Sequence, residues 1–144
     1  MSLSDTWCTP SWLAALLGEF DLDPCSNPHS HVTSTRKLSL EAGNDGLVDP
    51  WAGSVFVNPP YSNPLPWAQR LLFHTKPWAA LVKLDPTTQW WRVLTDGATW
   101  AAFRRRLKFD RHDKAPLSAN FPSALVWGRG WHPSADLRAH LWMQ

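Results

Sequence analysis

A chain of 144 residues has room for one domain of ordinary size, so we expect residues 1–144 to form a single domain with no separate second module. The composition, 44% hydrophobic and 18% charged, is that of a globular protein, and no stretch approaches the roughly 20 apolar residues that a membrane helix needs. The net charge of +2 permits contact with a polyanion without requiring it, and two cysteines are too few for a disulfide framework. No secretory signal opens the chain, so we expect a cytoplasmic protein with no membrane partner.

The first predicted element is a helix over residues 11–18. Thr9 is a favourable N-cap residue, Pro10 suits the first helical turn, and Gly18 is a common terminator. Apolar residues recur in this segment at helical spacing, which predicts a stripe that faces the core. The stripe consists of Trp12, Leu13, Leu16 and Leu17.

Three apolar segments each end abruptly at an Asp-Pro or Asn-Pro pair, and each is predicted to be a strand. They cover residues 20–23, 55–57 and 78–84. Because proline cannot donate to a sheet ladder, Asp23, Asn58 and Asp85 should stand at the carboxyl ends of these strands. Helical segments at 66–74 and 88–95 alternate with the strands, which predicts parallel pairing in an α/β sheet. The three polar tips are therefore expected to face one cleft.

The remaining segments are less regular. Residues 26–46 are polar and are predicted to form a long functional loop. Residues 99–103 and 107–109 are strand candidates on either side of a run of arginines. Residues 123–127 are predicted to form a last, antiparallel strand at the edge of the sheet, followed by a helix over 134–142.

The sequence Asn58-Pro59-Pro60-Tyr61 suits one kind of chemistry. An exocyclic amine on a nucleic-acid base is a poor nucleophile because its lone pair is delocalised into the ring. Two acceptors that hold its hydrogens draw the amine toward tetrahedral geometry, and Asn58 Oδ1 with the Pro59 backbone carbonyl offers such a pair. The Tyr61 ring offers a stacking surface for a base taken out of its helix. The alternative interpretation is a strand that simply ends in a polyproline turn.

Other polar groups allow both a functional and a structural interpretation. Asp23 is positioned to bind a cationic or hydroxylated ligand, or it merely opens a turn. Cys25, His29 and His31 have ligand chemistry, but their spacing matches no structural zinc site, so no metal is expected. The run Arg104 to Arg106 is either a solvated face or a contact for phosphate. Most of the 11 tryptophans are expected in the core.

With these residues in view, the chain resembles the small phage and prophage DNA N6-adenine methyltransferases of the Dam type. The resemblance covers most of the chain and depends on the order and spacing of several short motifs. The motifs are Trp7 with Thr9-Pro10, Phe20-x-Leu22-Asp23-Pro24-Cys25-Ser26, Asn44-Asp45-Gly46-Leu47 with Trp51, Val55 to Ser62, Trp67, Trp90-Trp91 and Arg106-Leu107-Lys108-Phe109.

The resemblance implies a reduced Rossmann-like methyltransferase fold, in which a mostly parallel sheet carries an antiparallel edge strand. It also implies that S-adenosylmethionine is the methyl donor and that the N6 amine of adenine in DNA, flipped out of the helix, is the acceptor. No separate target-recognition domain fits within this length, and the protein is expected in the cytoplasm of a bacterial host, encoded by a phage or prophage.

The resemblance extends to individual positions. The catalytic motif corresponds to Asn58, Pro59, Pro60 and Tyr61. The donor-binding positions correspond to Trp7, Thr9, Pro10, Asp23, Pro24, Cys25, Ser26 and Asp45. DNA contacts are expected from Tyr61, Ser62, Arg36, Lys37, Arg104, Arg105 and Arg106. One departure is the lack of a Gly-x-Gly loop after the first strand, where many methyltransferases let the backbone approach the cofactor.

Two alternatives stay open at the level of the sequence. The same motif is compatible with methylation of a base in RNA or of an amide in a protein. A different class of function is a noncatalytic nucleic-acid-binding module that uses tryptophan and arginine side chains on single strands.

Overall fold

The computed structural model describes residues 7–111 and 114–143. The described residues form helices and strands in the order α1 Ser11–Leu17, β1 Glu19–Asp23, β2 Thr33–Lys37, β3 Val55–Val57, α2 Leu65–Phe73, β4 Trp78–Lys83, α3 Gln89–Thr95, β5 Thr99–Phe103, β6 Lys108–Arg111, β7 Lys114–Ser118, β8 Ser123–Gly128, α4 Ala135–Arg138 and β9 Leu141–Trp142. None of these helices has the length and apolar character needed to cross a membrane.

Seven of the strands form one sheet in the order β2-β1-β3-β4-β8-β5-β9. Strands β2, β1, β3 and β4 are parallel neighbours, while β8 is antiparallel to both β4 and β5. Strand β5 therefore points the same way as the parallel group, and its carboxyl end lies at the same edge of the sheet. The α/β class and the parallel pairing of the first strands are confirmed.

The predicted edge position of residues 123–127 is wrong. Strand β8 lies inside the sheet, where its register with β4 runs from Trp78 opposite Gly128 to Lys83 opposite Ser123. Its apolar residues are buried on both faces, which suits an interior strand. The antiparallel edge strand is instead β9, formed by residues that the sequence assigns to a helix over 134–142. Helix α4 ends at Arg138, before this strand begins.

Helices cover both faces of the sheet. Successive side chains of a strand point to opposite faces, so a strand of apolar residues has an apolar surface on each face that must be buried. In β3, Phe56 belongs to one buried apolar cluster, whereas Val55 and Val57 belong to the other. The first cluster includes residues of α1 and α4, and the second includes residues of α2 and α3. The sheet is thus the middle layer of three, and its strand ends are left for binding.

Helix α1 differs from its predicted form at its beginning. Pro10, not Thr9, stands at the N-cap position with an extended backbone, and no side chain caps the helix. The N-cap prediction for Thr9 is therefore wrong, whereas Gly18 ends the helix with a φ of 81° as predicted. Leu13 is fully buried, but Trp12 is 42% exposed and does not face the core as expected.

Part of the predicted loop over residues 26–46 is a strand. Strand β2 pairs with β1 in parallel, from Thr33 opposite Glu19 to Lys37 opposite Asp23. Its side chains are mostly exposed, so it lacks the apolar alternation from which half-buried strands are predicted. The buried residues Val32 and Leu38 flank it. Arg36 and Lys37 consequently lie on an edge strand.

A long loop follows β2 and is held against the end of β1 at Gly46. A Cβ atom at Gly46 would overlap the Pro24 carbonyl oxygen and would come within 2.7 Å of Trp67 Cη2. The Gly46 carbonyl accepts hydrogen bonds from Trp51 Nε1 at 2.7 Å and from Arg70 Nη1 at 2.8 Å. Only glycine allows the loop to approach the strand this closely.

We expect the substitution Gly46→Ala to lower the free energy of unfolding by about 2–3 kcal/mol, because the added methyl group meets backbone that cannot move aside. The control is Gly97→Ala, where no atom lies within 4 Å and only the positive φ of 71° is strained. That control should cost about 1 kcal/mol. Urea denaturation of both variants measures the difference, and equal stability of Gly46→Ala and the wild type would contradict the close approach.

Candidate active site

The main cavity of the described residues lies at the carboxyl ends of β1 and β3 and has a volume of about 600 Å³. Strand β2, which follows β1 in the chain, pairs on one side of β1. Strands β3 and β4 then extend the sheet on the other side of β1. In open α/β sheets, ligands bind in the crevice beyond the strand ends where the order of the strands reverses. The cavity occupies this position, and its volume falls within the range of about 300–1,000 Å³ typical of small-molecule sites.

Most of the predicted donor-binding residues line this cavity, together with two members of the Asn-Pro-Pro-Tyr motif. The predicted residues that do so are Trp7, Thr9, Asp23, Pro24, Cys25, Ser26, Asp45, Asn58 and Pro60. Pro10 is not among the lining residues, and neither is Asp85. The structure therefore brings two of the three strand tips together in one cleft, not all three.

Asn58 follows β3 and is oriented by a residue far away in the chain. Its Nδ2 donates a hydrogen bond to Thr9 Oγ1 at 3.3 Å. Thr9 is 3% exposed, so its hydroxyl is held in place by its surroundings. Because this bond uses the amide nitrogen, it leaves Asn58 Oδ1 as the acceptor available to a ligand.

Asp23, at the end of β1, is a buried carboxyl group with an incomplete set of partners. It is 2% exposed, and its Oδ1 has no hydrogen-bond partner among the described residues. Burial raises the pKa of Asp23 to about 7, although a hydrogen bond from the Cys25 backbone N–H and the charge of Lys37 act in the opposite direction. A buried acceptor without a partner is costly unless a ligand supplies the donor.

Trp7 presents a second buried polar atom at the same cavity. Its indole Nε1 has no hydrogen-bond partner among the described residues, while its ring packs against Phe109 and Phe121. The cavity wall therefore contains one unsatisfied acceptor, on Asp23, and one unsatisfied donor, on Trp7. A ligand with both donors and acceptors fits this wall.

Tyr61 and Pro59 do not line the cavity. Pro59 is buried, and the Tyr61 ring contacts Phe109 and Phe121 edge-on, with centroid separations of 6.1 and 5.4 Å. Burial raises the pKa of the Tyr61 hydroxyl, whose oxygen has no hydrogen-bond partner among the described residues. A stacking role for Tyr61 thus needs a base to reach the part of its ring that is still exposed.

Several lining residues were not predicted from the sequence. The loop after β2 contributes Leu38, Ser39, Leu40, Glu41, Gly46 and Leu47, and other segments contribute Cys8, Asn27, His29, Ser30, Phe56, Asn63, Trp67 and Arg111. Asn63 had a visible signal, because it begins a second Asn-Pro pair just after the motif. Arg111 had none, since it reaches the cavity from β6, far along the chain.

The predicted DNA-contacting residues lie outside the cavity. Ser62 and Arg36 are exposed, and Arg36 Nη1 donates to the Pro50 carbonyl oxygen at 3.3 Å. Lys37 stands opposite Asp23 in the register of β2 with β1. The run Arg104 to Arg106 lines a second groove of about 440 Å³ beyond the end of β5. Within the part of the chain that the structure describes, no three His, Cys, Asp or Glu side chains are grouped to hold a metal ion.

Comparison with known proteins confirms the resemblance drawn from the motifs. The family described as DNA N-6-adenine-methyltransferase (Dam) matches residues 1–133. A protein of Haemophilus phage HP1 (strain HP1c1) named DNA N-6-adenine-methyltransferase is 33% identical over 104 residues. This alignment covers 65% of the chain and 58% of the phage protein, so the chain spans little more than half of that relative. Because the family match covers residues 1–133, most of the sequence, the chain belongs to the DNA N-6-adenine-methyltransferase (Dam) family.

Proposed function

We propose that this protein transfers a methyl group from S-adenosylmethionine to the N6 amine of adenine in DNA. The observation that carries the proposal is the placement of Asn58 and Asp23 on one cavity at the switch point of the sheet. Asn58 offers an oriented amide oxygen, and Asp23 offers a buried carboxylate oxygen without a hydrogen-bond partner among the described residues. The strand order and the direction of β5 also support a reduced Rossmann-like fold over one catalytic domain.

The cavity wall suits the proposed donor. S-adenosylmethionine carries an ammonium group, ribose hydroxyls and a purine, and when bound it supplies a methyl group attached to a sulfonium. Asp23 Oδ1 accepts from the ammonium or a hydroxyl, and Trp7 Nε1 donates to an acceptor of the same ligand. The same wall contains Cys25, Ser26 and Asp45 from the predicted set, although Asp45 Oδ1 already accepts a hydrogen bond from the Leu47 N–H at 2.9 Å.

Asn58 acts on the adenine. Its Oδ1 accepts a hydrogen bond from the N6 amine and holds the amine in line with the donor methyl. As positive charge develops on N6 during transfer, the same oxygen stabilises it electrostatically. No strong base is needed in this scheme, because the extra proton on the methylated amine is acidic and leaves to solvent. The Pro59 carbonyl as second acceptor and the Tyr61 ring as stacking partner belong to the same proposal.

The alternative of a noncatalytic tryptophan-rich binding module receives less support. Eight of the 11 tryptophans are buried or pack partly buried against the core, in agreement with the expectation from composition. Such a module also gives no reason for a buried carboxylate at the end of β1. Incubation with labelled donor and DNA, RNA or protein in separate reactions distinguishes the three acceptor classes, and labelling of DNA adenine is the expected result.

Replacing Asn58 by Ala should reduce kcat for adenine methylation by about 100-fold or more, because one transition-state acceptor is removed. The fold should be retained, since Asn58 is only half-buried. Donor affinity, measured by calorimetry, should stay within a factor of about two, because Asn58 is assigned to the amine and not to the donor. A folded Asn58→Ala protein with wild-type activity would sink the assignment.

Thr9→Val should lower kcat by about 10- to 100-fold, because it keeps the shape of Thr9 but removes the acceptor that orients the Asn58 amide. Thr9→Ser, which keeps the hydroxyl, should restore most of the activity. Steady-state kinetics and donor calorimetry separate the effects on kcat from those on binding. If Thr9→Val instead weakens donor binding and leaves kcat unchanged, Thr9 contacts the donor, as the resemblance implies, and does not position Asn58.

The free energy of unfolding should fall as the pH rises from about 4 to 7. In that window the unfolded chain has given up the Asp23 proton, at the ordinary aspartate pKa of 3.8, while the folded chain keeps it until about pH 7. Asp23→Asn removes this penalty, so the variant should be more stable than the wild type at pH 8 by about 2–4 kcal/mol. The two proteins should differ little at pH 4.

Urea denaturation at both pH values measures this effect, and Glu19→Gln, an exposed acid on the same strand, is the control. The same Asp23→Asn protein should bind S-adenosylmethionine at least about tenfold more weakly, since one charge-assisted hydrogen bond is removed. A variant that gains stability and keeps full donor affinity would remove Asp23 from the donor site.

A further inference from the structure

The second groove lies beyond the end of β5 and is lined by cations. Arg104, Arg105, Arg106 and Lys108 all border it, and all four side chains are exposed. Because β5 runs in the same direction as β3, this groove is at the same edge of the sheet as Asn58. Three strand spacings separate the two strand ends, a distance of about 14 Å.

Acidic side chains of the described residues do not neutralise the positive charge of this groove. Within residues 7–111 and 114–143, none of the four side chains forms an ion pair. The side-chain hydrogen bonds of Arg104 and Arg106 are donated to backbone carbonyls, at Leu141 and Ala119. Asp110, the acidic residue closest in sequence, is paired with His31 at 2.9 Å. The groove therefore has the charge of a site for an anion with several negative groups.

Strand β6 connects this groove to the main cavity. Lys108, at the start of β6, borders the second groove, and Arg111, at its end, borders the main cavity. Asp110 and Cys8 exchange backbone hydrogen bonds of 2.9 and 3.1 Å, which hold β6 beside the segment that contains Thr9. We call Arg104, Arg105, Arg106, Lys108 and Arg111 the basic track.

Two exposed tryptophans lie beside the basic track. Trp142 is 64% exposed, and the guanidinium carbon of Arg104 lies 4.8 Å from its ring centroid. Trp12 is 42% exposed, borders the groove and lies 4.7 Å from the ring of His140. Aromatic faces next to cations are the combination that binds unpaired nucleotides, since bases stack on the rings while phosphates contact the charges.

We propose that the basic track holds the phosphates of a single, unpaired DNA strand that leads into the main cavity, and that Trp142 and Trp12 stack on its bases. This inference rests on the proposed function and adds to it the form of the substrate next to the target adenine. The distance of about 14 Å between the two strand ends is short enough for a few nucleotides of an unpaired strand to span it. Duplex DNA offers no free base faces to the tryptophans.

The charge test compares two double variants. Arg105→Gln with Lys108→Gln removes two charges of the basic track whose side chains make no hydrogen bonds within the described residues. Lys76→Gln with Arg92→Gln is the matched control. Arg92 is an exposed residue of α3 on the other face of the sheet, and Lys76 precedes β4 and lies at the opposite sheet edge.

Fluorescence anisotropy with a labelled single-stranded oligonucleotide, repeated at several salt concentrations, gives the slope of log K against log salt. The track variant should reduce the magnitude of this slope by about 1.4, which is about 0.7 for each phosphate that is no longer neutralised, and the control should not change it. Donor affinity and melting temperature should match the wild type. An unchanged slope in a track variant that still binds the donor overturns the proposal.

The stacking test uses Trp142→Leu, with Trp100→Leu as its control. Trp100 is 44% exposed and lies on the same face of the sheet as Trp142, but its ring packs edge-on against Trp91, whereas the ring of Trp142 lies against Arg104 of the basic track. Trp142→Leu should weaken single-stranded binding about tenfold and duplex binding little, whereas the control should affect neither. Equal losses on both forms of DNA would overturn the assignment of unpaired bases.

These outcomes are separable from the proposed function. A wild-type protein that methylates adenine, combined with a track variant that binds normally, refutes the track alone. A wild-type protein without donor binding or methyl transfer, whose DNA binding still depends on the track, refutes the proposed function alone.

Discussion

The parallel pairing of β1 with β3 is the constraint on which the cavity depends. Leu22 stands opposite Val55, and the backbone N–H groups of Asp21 and Leu22 both donate to the Ser54 carbonyl. Since β2 extends the sheet on the other side of β1, the order of strands reverses at this pair and a crevice opens beyond their ends. Asp23 and Asn58 reach the same cavity for this reason alone.

Burial of Asp23 works against folding and in favour of binding. A carboxyl group that is 2% exposed, with one oxygen unpaired, has a pKa near 7 because its charge is poorly solvated. Proteins retain such groups mainly where a ligand completes the interaction, since an apolar or amide side chain would be more stable. The same reasoning applies, with less force, to the unpaired indole nitrogen of Trp7.

Two features of the cavity come from residues that are distant in the chain. The Thr9 hydroxyl holds the Asn58 amide, although 49 positions separate them. Gly46 allows the backbone to approach Pro24, which gives the end of β1 a close backbone neighbour without a Gly-x-Gly loop directly after the strand. Close backbone approach needs a glycine in space, but not at a particular place in the sequence.

The sequence by itself determined the strands that end at Asp23 and Asn58, because apolar runs cut off by proline have few other solutions, and it determined the family through the spacing of its motifs. The tertiary structure alone decided the interior place of β8, the strand at Thr33–Lys37, and the departure of Trp12, Tyr61 and Asp85 from their expected surroundings. Periodicity reports which side chains are buried, but not which strand is the neighbour, since pairing is chosen by the packing of the whole sheet. Contacts such as those of Thr9 with Asn58, and of Gly46 with Pro24, arise only once that packing is complete.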